Sequence, residues 1–206
     1  MDQIALPLNW PVADSDDDFL ISDSNRAAFE HLKRWSVWPV SATLLIGPRK
    51  SGRSLLGHIF VRKTGGRLFD TVESHDEETI FHAWNEAQEK RRPLLIVADA
   101  APPAWEIALP DLRSRIAATP VIELGEPDDI LLGNLIVKLL GDRGIATPPD
   151  LAEYLVPRIE RSYVAVQQIV DILDWAVLSH HRRMTVPMAR SALIEAGMIK
   201  RARNRA

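Results

Sequence analysis

The sequence predicts an α/β domain with a parallel sheet, followed by a smaller all-helical domain. Three short apolar runs, at residues 42–46, 94–98 and 121–124, are typical of buried parallel strands. From residue 128 onward the apolar residues follow helical spacing instead, most clearly in residues 162–180. We therefore expect an α/β domain over residues 19–125 and a helical domain over residues 126–199.

Helix-capping and helix-ending residues predict the remaining helices and strands. Ser22, Asp23 and Ser24 are suitable N-cap residues for a first helix. A second helix follows the glycine-containing turn after the first strand, and glycines at positions 65 and 66 end it. Residues 67–70 suit one short strand, and residues 76–90 suit an amphipathic helix. In the helical domain we predict helices at 129–142, 149–158, 162–180 and 187–196.

Composition excludes several classes of protein. The 206 residues carry 25 Lys and Arg against 28 Asp and Glu, a net charge of −3, which argues against a broadly basic nucleic-acid-coating protein. No cysteine is present, so disulfides and thiolate metal sites are excluded. There is neither a membrane-spanning apolar run nor a secretory leader, so we expect a cytoplasmic protein with no membrane partner.

Residues 47–54 resemble a phosphate-binding loop. They fit the pattern G-x-x-x-x-G-K-[ST] except that Arg53 stands where lysine is expected. A strand precedes this loop and a helix follows it, so backbone N–H groups could bind phosphate oxygens. The candidate cofactor-binding residues here are Gly47, Arg49, Lys50, Ser51, Gly52, Arg53 and Ser54. The alternative is an ordinary strand-to-helix turn.

A phosphate-loop enzyme also needs an acidic residue after a second strand to hold Mg²⁺. The usual apolar run ending in two acidic residues is missing. Asp70 is the only position that lines up with it, and a simple turn aspartate is the alternative favoured for Asp70. The sequence therefore argues against a Mg²⁺ site, and no metal-binding residue is assigned.

Several further segments resemble the DnaA/Hda family of AAA+ replication regulators, in that family's order. They are the peptide Gln3-Ile4-Ala5-Leu6-Pro7-Leu8, the leading segment at residues 19–28, the loop Gly52-Arg53-Ser54, the helix and strand at residues 81–85 and 94–99, the segment at residues 109–115, and residues 182–187. In Hda proteins an arginine likewise replaces the loop lysine. The resemblance covers nearly the whole chain.

The resemblance implies a shortened AAA+ domain with a helical lid, and a role for particular residues. Leu20 and Ile21 would flank an adenine, with ADP favoured over ATP. Asp99 would be the sensor at the end of its strand. Arg115 would be the arginine finger that reaches a neighbour's nucleotide, with Arg113 as a helper.

The chain also departs from the family. It is short by about one strand and one helix before Asp76, where the acidic strand is expected, and the family's lid arginine falls near Val164, with Arg161 the nearest arginine. No helix-turn-helix domain follows the lid. These departures argue against ATP hydrolysis by the chain and against sequence-specific DNA binding.

We expect residues 3–8 to form an extended peptide, because Pro7 disfavours a helical conformation at Leu6. By resemblance Gln3, Leu6, Pro7 and Leu8 would bind the sliding clamp of DNA polymerase III, with the acidic residues 14–18 as a linker. A terminus without a partner, or a strand packed on its own domain, is the alternative. The basic residues 200–206 could touch DNA non-specifically or be a solvated tail.

The functional hypothesis is a regulator that inactivates DnaA. Tethered to the clamp and holding ADP, it would present Arg115 to ATP-bound DnaA and stimulate hydrolysis there, which prevents re-initiation of replication. For Arg113 and Arg115 the alternative is surface ion pairing with Asp111 or Glu123. For the chain, the alternatives are an autonomous AAA+ ATPase or a nucleotide-free adaptor between clamp and DnaA, and it could also form a homo-oligomer.

Overall fold

A computed structural model of the chain describes residues 19–180 and 183–200. Four parallel strands form one sheet in the order β2-β3-β1-β4. The strands are β1 (Ala42–Ile46), β2 (Arg67–Phe69), β3 (Leu94–Val97) and β4 (Val121–Glu123). All three apolar runs are therefore strands, and the predicted parallel sheet is confirmed.

Helices cover both faces of this sheet. They are α1 (Asp23–Lys33), α2 (Arg53–Thr64), α3 (Glu77–Lys90) and α4 (Pro110–Ala117). Neighbouring strand residues point to opposite faces, so Leu44 packs in a core with α3 and α4, whereas Leu45 packs in a second core with α1 and α2. Because all four strands are parallel, their carboxyl ends meet at one edge of the sheet.

The lid is a separate helical layer with its own core. It contains α5 (Asp129–Asp142), α6 (Leu151–Leu155), α7 (Tyr163–His180) and α8 (Val186–Glu195). Apolar residues at helical spacing on these helices form one buried cluster. The helix predicted over 149–158 is only one turn of α-helix followed by a 3₁₀ turn, because Pro157 cannot continue the α-helical hydrogen bonding.

Among residues 19–180 and 183–200, no helix combines the length and the apolar character needed to cross a membrane.

Candidate functional site

The loop between β1 and α2 has a backbone that only glycine accommodates at two positions. Gly47 has a φ of 154°, and a Cβ there would lie 2.8 Å from the carbonyl oxygen of Leu124. Gly52, which precedes α2, has a φ of 89°, and a Cβ there would contact the ring of Phe19 at 3.4 Å. Lys50 also has a positive φ, of 65°. The loop is therefore tightly wound against both the sheet and the leading segment.

This loop contains a buried polar atom that fits an anionic ligand. Ser51 is only 7% exposed, and its hydroxyl has no hydrogen-bond partner within the described chain. The first hydrogen bond of α2 runs from the N–H of Leu56 to Gly52, so the N–H groups of the first turn lack intrahelical acceptors. A phosphate oxygen would satisfy both kinds of donor.

Arg53 makes its contacts at the end of β3. Its guanidinium donates to the carbonyl oxygen of Ala98 and to Oδ1 of Asp99, the latter at 2.6 Å. The Arg53 side chain is 13% exposed, whereas that of Asp99 is 71% exposed. Glu73 accepts the backbone N–H of Asp99 at 2.7 Å, which fixes this strand end. Two of the predicted cofactor-binding residues, Arg53 and Asp99, are thus paired with each other.

Ser54 and Asp70 lie side by side at the edge of the sheet. The hydroxyl of Ser54 donates to Oδ1 of Asp70 at 3.1 Å, and Asp70 directly follows β2. A strand with an acidic residue at its carboxyl end thus stands beside the loop. In phosphate-loop enzymes a loop Ser or Thr and a strand-end Asp together hold Mg²⁺. Within the described residues no group of three or more His, Cys, Asp or Glu could hold a metal by itself, so phosphate oxygens and water would have to complete such a site.

A cavity of about 270 Å³ lies between the loop and the lid. Phe19, Leu20 and Asn25 of the leading segment line it together with loop residues 50–52. The lid closes it with α5 and α7, through Leu131, Leu135, Lys138, Leu139, Asp142, Tyr163 and Gln167. A group bound there would contact the sheet domain and the lid at once.

Asp128 ties the leading segment to the lid beside this cavity. It caps α5 by accepting the N–H of Leu131 at 2.8 Å, and it also accepts the N–H of Ser24 at 3.4 Å. Burial raises the pKa of Asp128, but hydrogen bonds from Leu131, Ser22, Ser24 and Ile130 outweigh it and hold that pKa below its ordinary value. The carboxylate therefore joins the leading segment to the start of α5.

Tyr163 makes a second contact of this kind, because its hydroxyl donates to the carbonyl oxygen of Gly125 at 3.0 Å. Burial of the phenol raises the pKa of Tyr163. The Asp128 contact connects the leading segment to the lid, and the Tyr163 contact connects the end of β4 to it. The orientation of the lid is therefore set by polar contacts as well as by apolar packing.

Other predicted cofactor-binding residues lie outside the cavity lining. Ile21 is 42% exposed, and neither Ile21 nor Arg49 lines the cavity. Arg161 forms an exposed ion pair with Asp129 at 3.0 Å and does not line it either. Arg161 thus contacts the start of α5 in this structure.

The two predicted arginines of α4 differ in their surroundings. Arg113 donates to the carbonyl oxygen of Ile107 at 2.6 and 3.1 Å, so it holds the preceding loop in place. Arg115 is exposed and makes no ion pair among the described residues; its guanidinium lies 4.9 Å from the centre of the Trp84 ring. Neither arginine pairs with Asp111 or Glu123 within the described chain.

A small network holds Arg115 in position. The hydroxyl of Thr119 donates to the carbonyl oxygen of Arg115 at 2.8 Å and accepts the indole N–H of Trp84 at 3.0 Å. Trp84 and Thr119 are both buried. Arg115 therefore presents its charge to solvent from a rigid base, and it does not line the cavity beside the phosphate loop.

Two groups of predicted residues lie outside the described residues. They are the clamp-binding peptide, with Gln3, Leu6, Pro7 and Leu8, and residues 201–206 of the basic segment.

The structure also brings in residues that the sequence analysis did not single out. Asn25, Lys138, Tyr163 and Gln167 line the cavity, and Trp84 supports Arg115. Tyr163 is the first residue of α7 and follows Ser162. A tyrosine at the start of that helix is the one sequence feature that could have pointed to a residue of the cavity. The other residues sit in helices whose facing elements cannot be read from spacing.

The structure is similar to those of proteins that initiate DNA replication. The structure is similar to domain III of the replication initiation protein DnaA from Thermotoga maritima, with a TM-score of 0.72 at 14% identity, over 90% of this chain and 96% of that one. It is also similar to AMPPCP-bound DnaA from Aquifex aeolicus, with a TM-score of 0.57 at 15% identity, over 76% and 63% of the two chains. The fold is therefore that of an AAA+ domain with a helical lid.

A family model matches within the lid. Residues 139–193 match the family model of the Hda lid domain. The predicted resemblance to Hda, a DnaA-related AAA+ family, is thereby confirmed for the lid, and the similarity to DnaA domain III confirms the fold. In sequence the chain is 28% identical over 118 residues to an uncharacterized protein of Haemophilus influenzae, a match that covers 57% of this chain and about half, 51%, of that relative.

Proposed function

We propose that the chain regulates replication initiation by binding an adenine nucleotide, ADP in preference to ATP, and stimulating ATP hydrolysis by DnaA. Three features support a nucleotide site: the tightly wound loop, the adjoining cavity, and the hydroxyl of Ser51, which has no hydrogen-bond partner among the described residues. The similarity to a DnaA structure that holds AMPPCP supports an adenine nucleotide as the ligand.

The contacts of Arg53 argue against efficient hydrolysis by the chain itself. A phosphate loop uses its cation to bind the β- and γ-phosphates. Here the guanidinium is engaged by the Ala98 carbonyl and by Asp99. Reaching a γ-phosphate would require both contacts to break, so a nucleotide without that phosphate suits the site better.

The single observation that carries the proposal is the state of Arg115. An exposed arginine without a carboxylate partner among the described residues, held on Trp84 and absent from the chain's own cavity, is suited to act on another molecule. An arginine placed against a neighbour's nucleotide stabilises the charge of the transition state for phosphoryl transfer. The proposed neighbour is ATP-bound DnaA, and a second copy of this chain is the alternative.

Tethering to the sliding clamp through residues 3–8 completes the proposal. An extended peptide with Gln3 at one end and Leu6 and Leu8 at the other can bind a partner groove with alternate side chains. Changing Gln3 and Leu6 to Ala should abolish co-purification with the clamp. Binding that persists would remove this part of the proposal. The proposed location of the complex is the cytoplasm.

The experiment that tests the function is a reconstituted hydrolysis assay. DnaA loaded with radiolabelled ATP is mixed with clamp on DNA, and conversion to bound ADP is followed with and without this chain. We expect faster conversion only when chain and clamp are both present. Equal rates with and without the chain would contradict the proposal.

One contact favours a second candidate function, an autonomous ATPase. The pairing of Ser54 with Asp70 would place a metal-holding acid beside the loop. Turnover by the purified chain that is lost in Asp70→Asn would establish this activity. A nucleotide-free adaptor, in contrast, would show no rise in melting temperature with millimolar ADP.

A further inference from the structure

A cavity of about 570 Å³ on the outer side of the lid carries a cluster of positive charge. Arg158, Arg190 and Lys200 line it together with Tyr154 and residues 197–199. All three cations are exposed. We name this set Arg158, Arg190 and Lys200 the lid basic patch. It shares no residue with the cavity beside the phosphate loop or with the surroundings of Arg115.

The charges of the lid basic patch are not neutralised within the described part of the chain. No ion pair joins any of its three cations to a carboxylate there. Acidic residues do exist nearby in sequence, at Glu153 and Glu160, but they do not pair with it. Since the whole chain has a net charge of −3, three clustered unpaired cations are a local feature that attracts an anion.

Arg158, in the 3₁₀ turn after α6, is held in place by Tyr154 of α6. It donates to the carbonyl oxygen of Tyr154 at 2.8 Å, and its guanidinium lies 4.3 Å from the centre of the Tyr154 ring. These contacts fix one end of the patch before any ligand binds. Arg190, on α8, and Lys200, just beyond that helix, supply the other charges from separate turns of the chain.

We propose that the lid basic patch binds the phosphodiester backbone of double-stranded DNA without reading its sequence. Cations of one sign spread over a surface suit a row of phosphates better than a single small anion. Among the described residues that line the cavity, the only aromatic one is Tyr154, which already has Arg158 over its ring. The patch therefore has no open platform for stacking bases, which single-strand binders use.

Duplex DNA carries about one charge per 1.7 Å of helix axis, twice the density of one strand alone. A duplex therefore brings more phosphates within reach of the three cations of the lid basic patch than a single strand does.

The test measures how binding depends on salt. Anisotropy of a labelled duplex of arbitrary sequence is titrated with the full chain between 50 and 200 mM NaCl. Three phosphate contacts give a slope of log K against log salt of about −2.7, which is a loss of about 40-fold over that range. The double change Arg190→Ala and Lys200→Ala should flatten the slope by about 1.8.

The matched control removes two cations elsewhere. Lys33 and Arg34 are exposed at the end of α1, so Lys33→Ala with Arg34→Ala changes the net charge equally and should leave the slope unchanged. Equal effects of the two double variants would overturn the proposal, since they would show a general charge effect. Far-ultraviolet circular dichroism confirms that both variants are folded.

Two further titrations decide the class of ligand. Poly-glutamate in place of DNA should bind at least tenfold more weakly, because an acidic protein lacks the regular phosphate spacing. A single strand of the same length should also bind more weakly and with a smaller slope. Poly-glutamate bound as tightly as the duplex, or a single strand preferred to it, would overturn the assignment to duplex DNA.

Discussion

Replacing Arg53 by Ala tests how the phosphate loop of this chain is built. The guanidinium satisfies the buried carbonyl of Ala98 and pairs with Asp99. A hydrogen bond from a charged donor contributes about 1.5–3 kcal/mol, and the ion pair adds about 0–1 kcal/mol because Asp99 is largely exposed. We therefore expect Arg53→Ala to lower the free energy of unfolding of the nucleotide-free protein by about 2–3 kcal/mol.

Urea unfolding followed by tryptophan fluorescence measures this change. With a slope of about 2 kcal/mol per molar urea, the midpoint should fall by about 1 M or more. Arg49→Ala is the matched control, since Arg49 lies in the same loop, is exposed and carries the same charge. That control should change stability by less than about 0.5 kcal/mol.

Nucleotide affinity gives the second half of the test. Because Arg53 is bound to the end of β3, we expect Arg53→Ala to weaken ADP binding by less than about tenfold, or 1.4 kcal/mol. If Arg53 instead served mainly as a phosphate ligand, the variant would be as stable as the parent and would lose ADP affinity by more than that factor. That pair of results would refute the assignment of Arg53 to a structural contact.

Three further predictions concern the loop, the joint between the domains, and the contact between α1 and β1. Gly52→Ala should lower the free energy of chemical unfolding by about 1–2 kcal/mol and reduce stabilisation by ADP, because of the positive φ and the contact with Phe19. In the control Gly141→Ala the new Cβ meets open space, so stability should not fall. Equal losses of stability in the two variants would contradict this reasoning. Asp128→Ala should lower the free energy of unfolding by about 1–2 kcal/mol. The folded pKa of Asp128 lies below the unfolded value, near 3.9, so its contribution to stability is complete above that pH and fades as the pH drops further. The free energy of unfolding of the variant should therefore depend less on pH in acid than that of the parent. Burial lowers the pKa of His31, whose ring lies 2.8 Å from the hydroxyl of Thr43. The free energy of unfolding should therefore fall as the pH drops below about 6.5. An equal fall with pH in His31→Gln would contradict the role of His31.

Local sequence patterns predicted the sheet, the loop and the lid because each depends on neighbouring residues. An apolar run followed by a glycine turn specifies β1 and the start of α2, and helical spacing specifies α7. The same patterns left α4 unassigned, because the sequence drew attention to its arginines rather than to its eight helical residues.

The contacts that define the site could not be predicted in this way. Asp99 lies 46 residues from Arg53, and the N–H of Ser24 reaches Asp128 across 104 residues. Such pairs depend on how strands are ordered in the sheet and on where the lid packs. The role of Asp99 as a sensor of nucleotide stays a prediction from the resemblance, and its pairing with Arg53 is a contact that spacing alone could not reveal.

The measurement that tests the central claim most directly is hydrolysis of DnaA-bound ATP by Arg115→Ala, with clamp on DNA present. Arg115 contributes an exposed contact with Trp84 worth about 0.5–1 kcal/mol, so the variant should fold and bind clamp like the parent. An arginine acting on a neighbour's nucleotide contributes a factor of about 10³–10⁵, so stimulation should fall to the rate of DnaA alone, and Arg115→Lys should recover only part of it. Stimulation by Arg115→Ala equal to that of the parent chain would contradict the account.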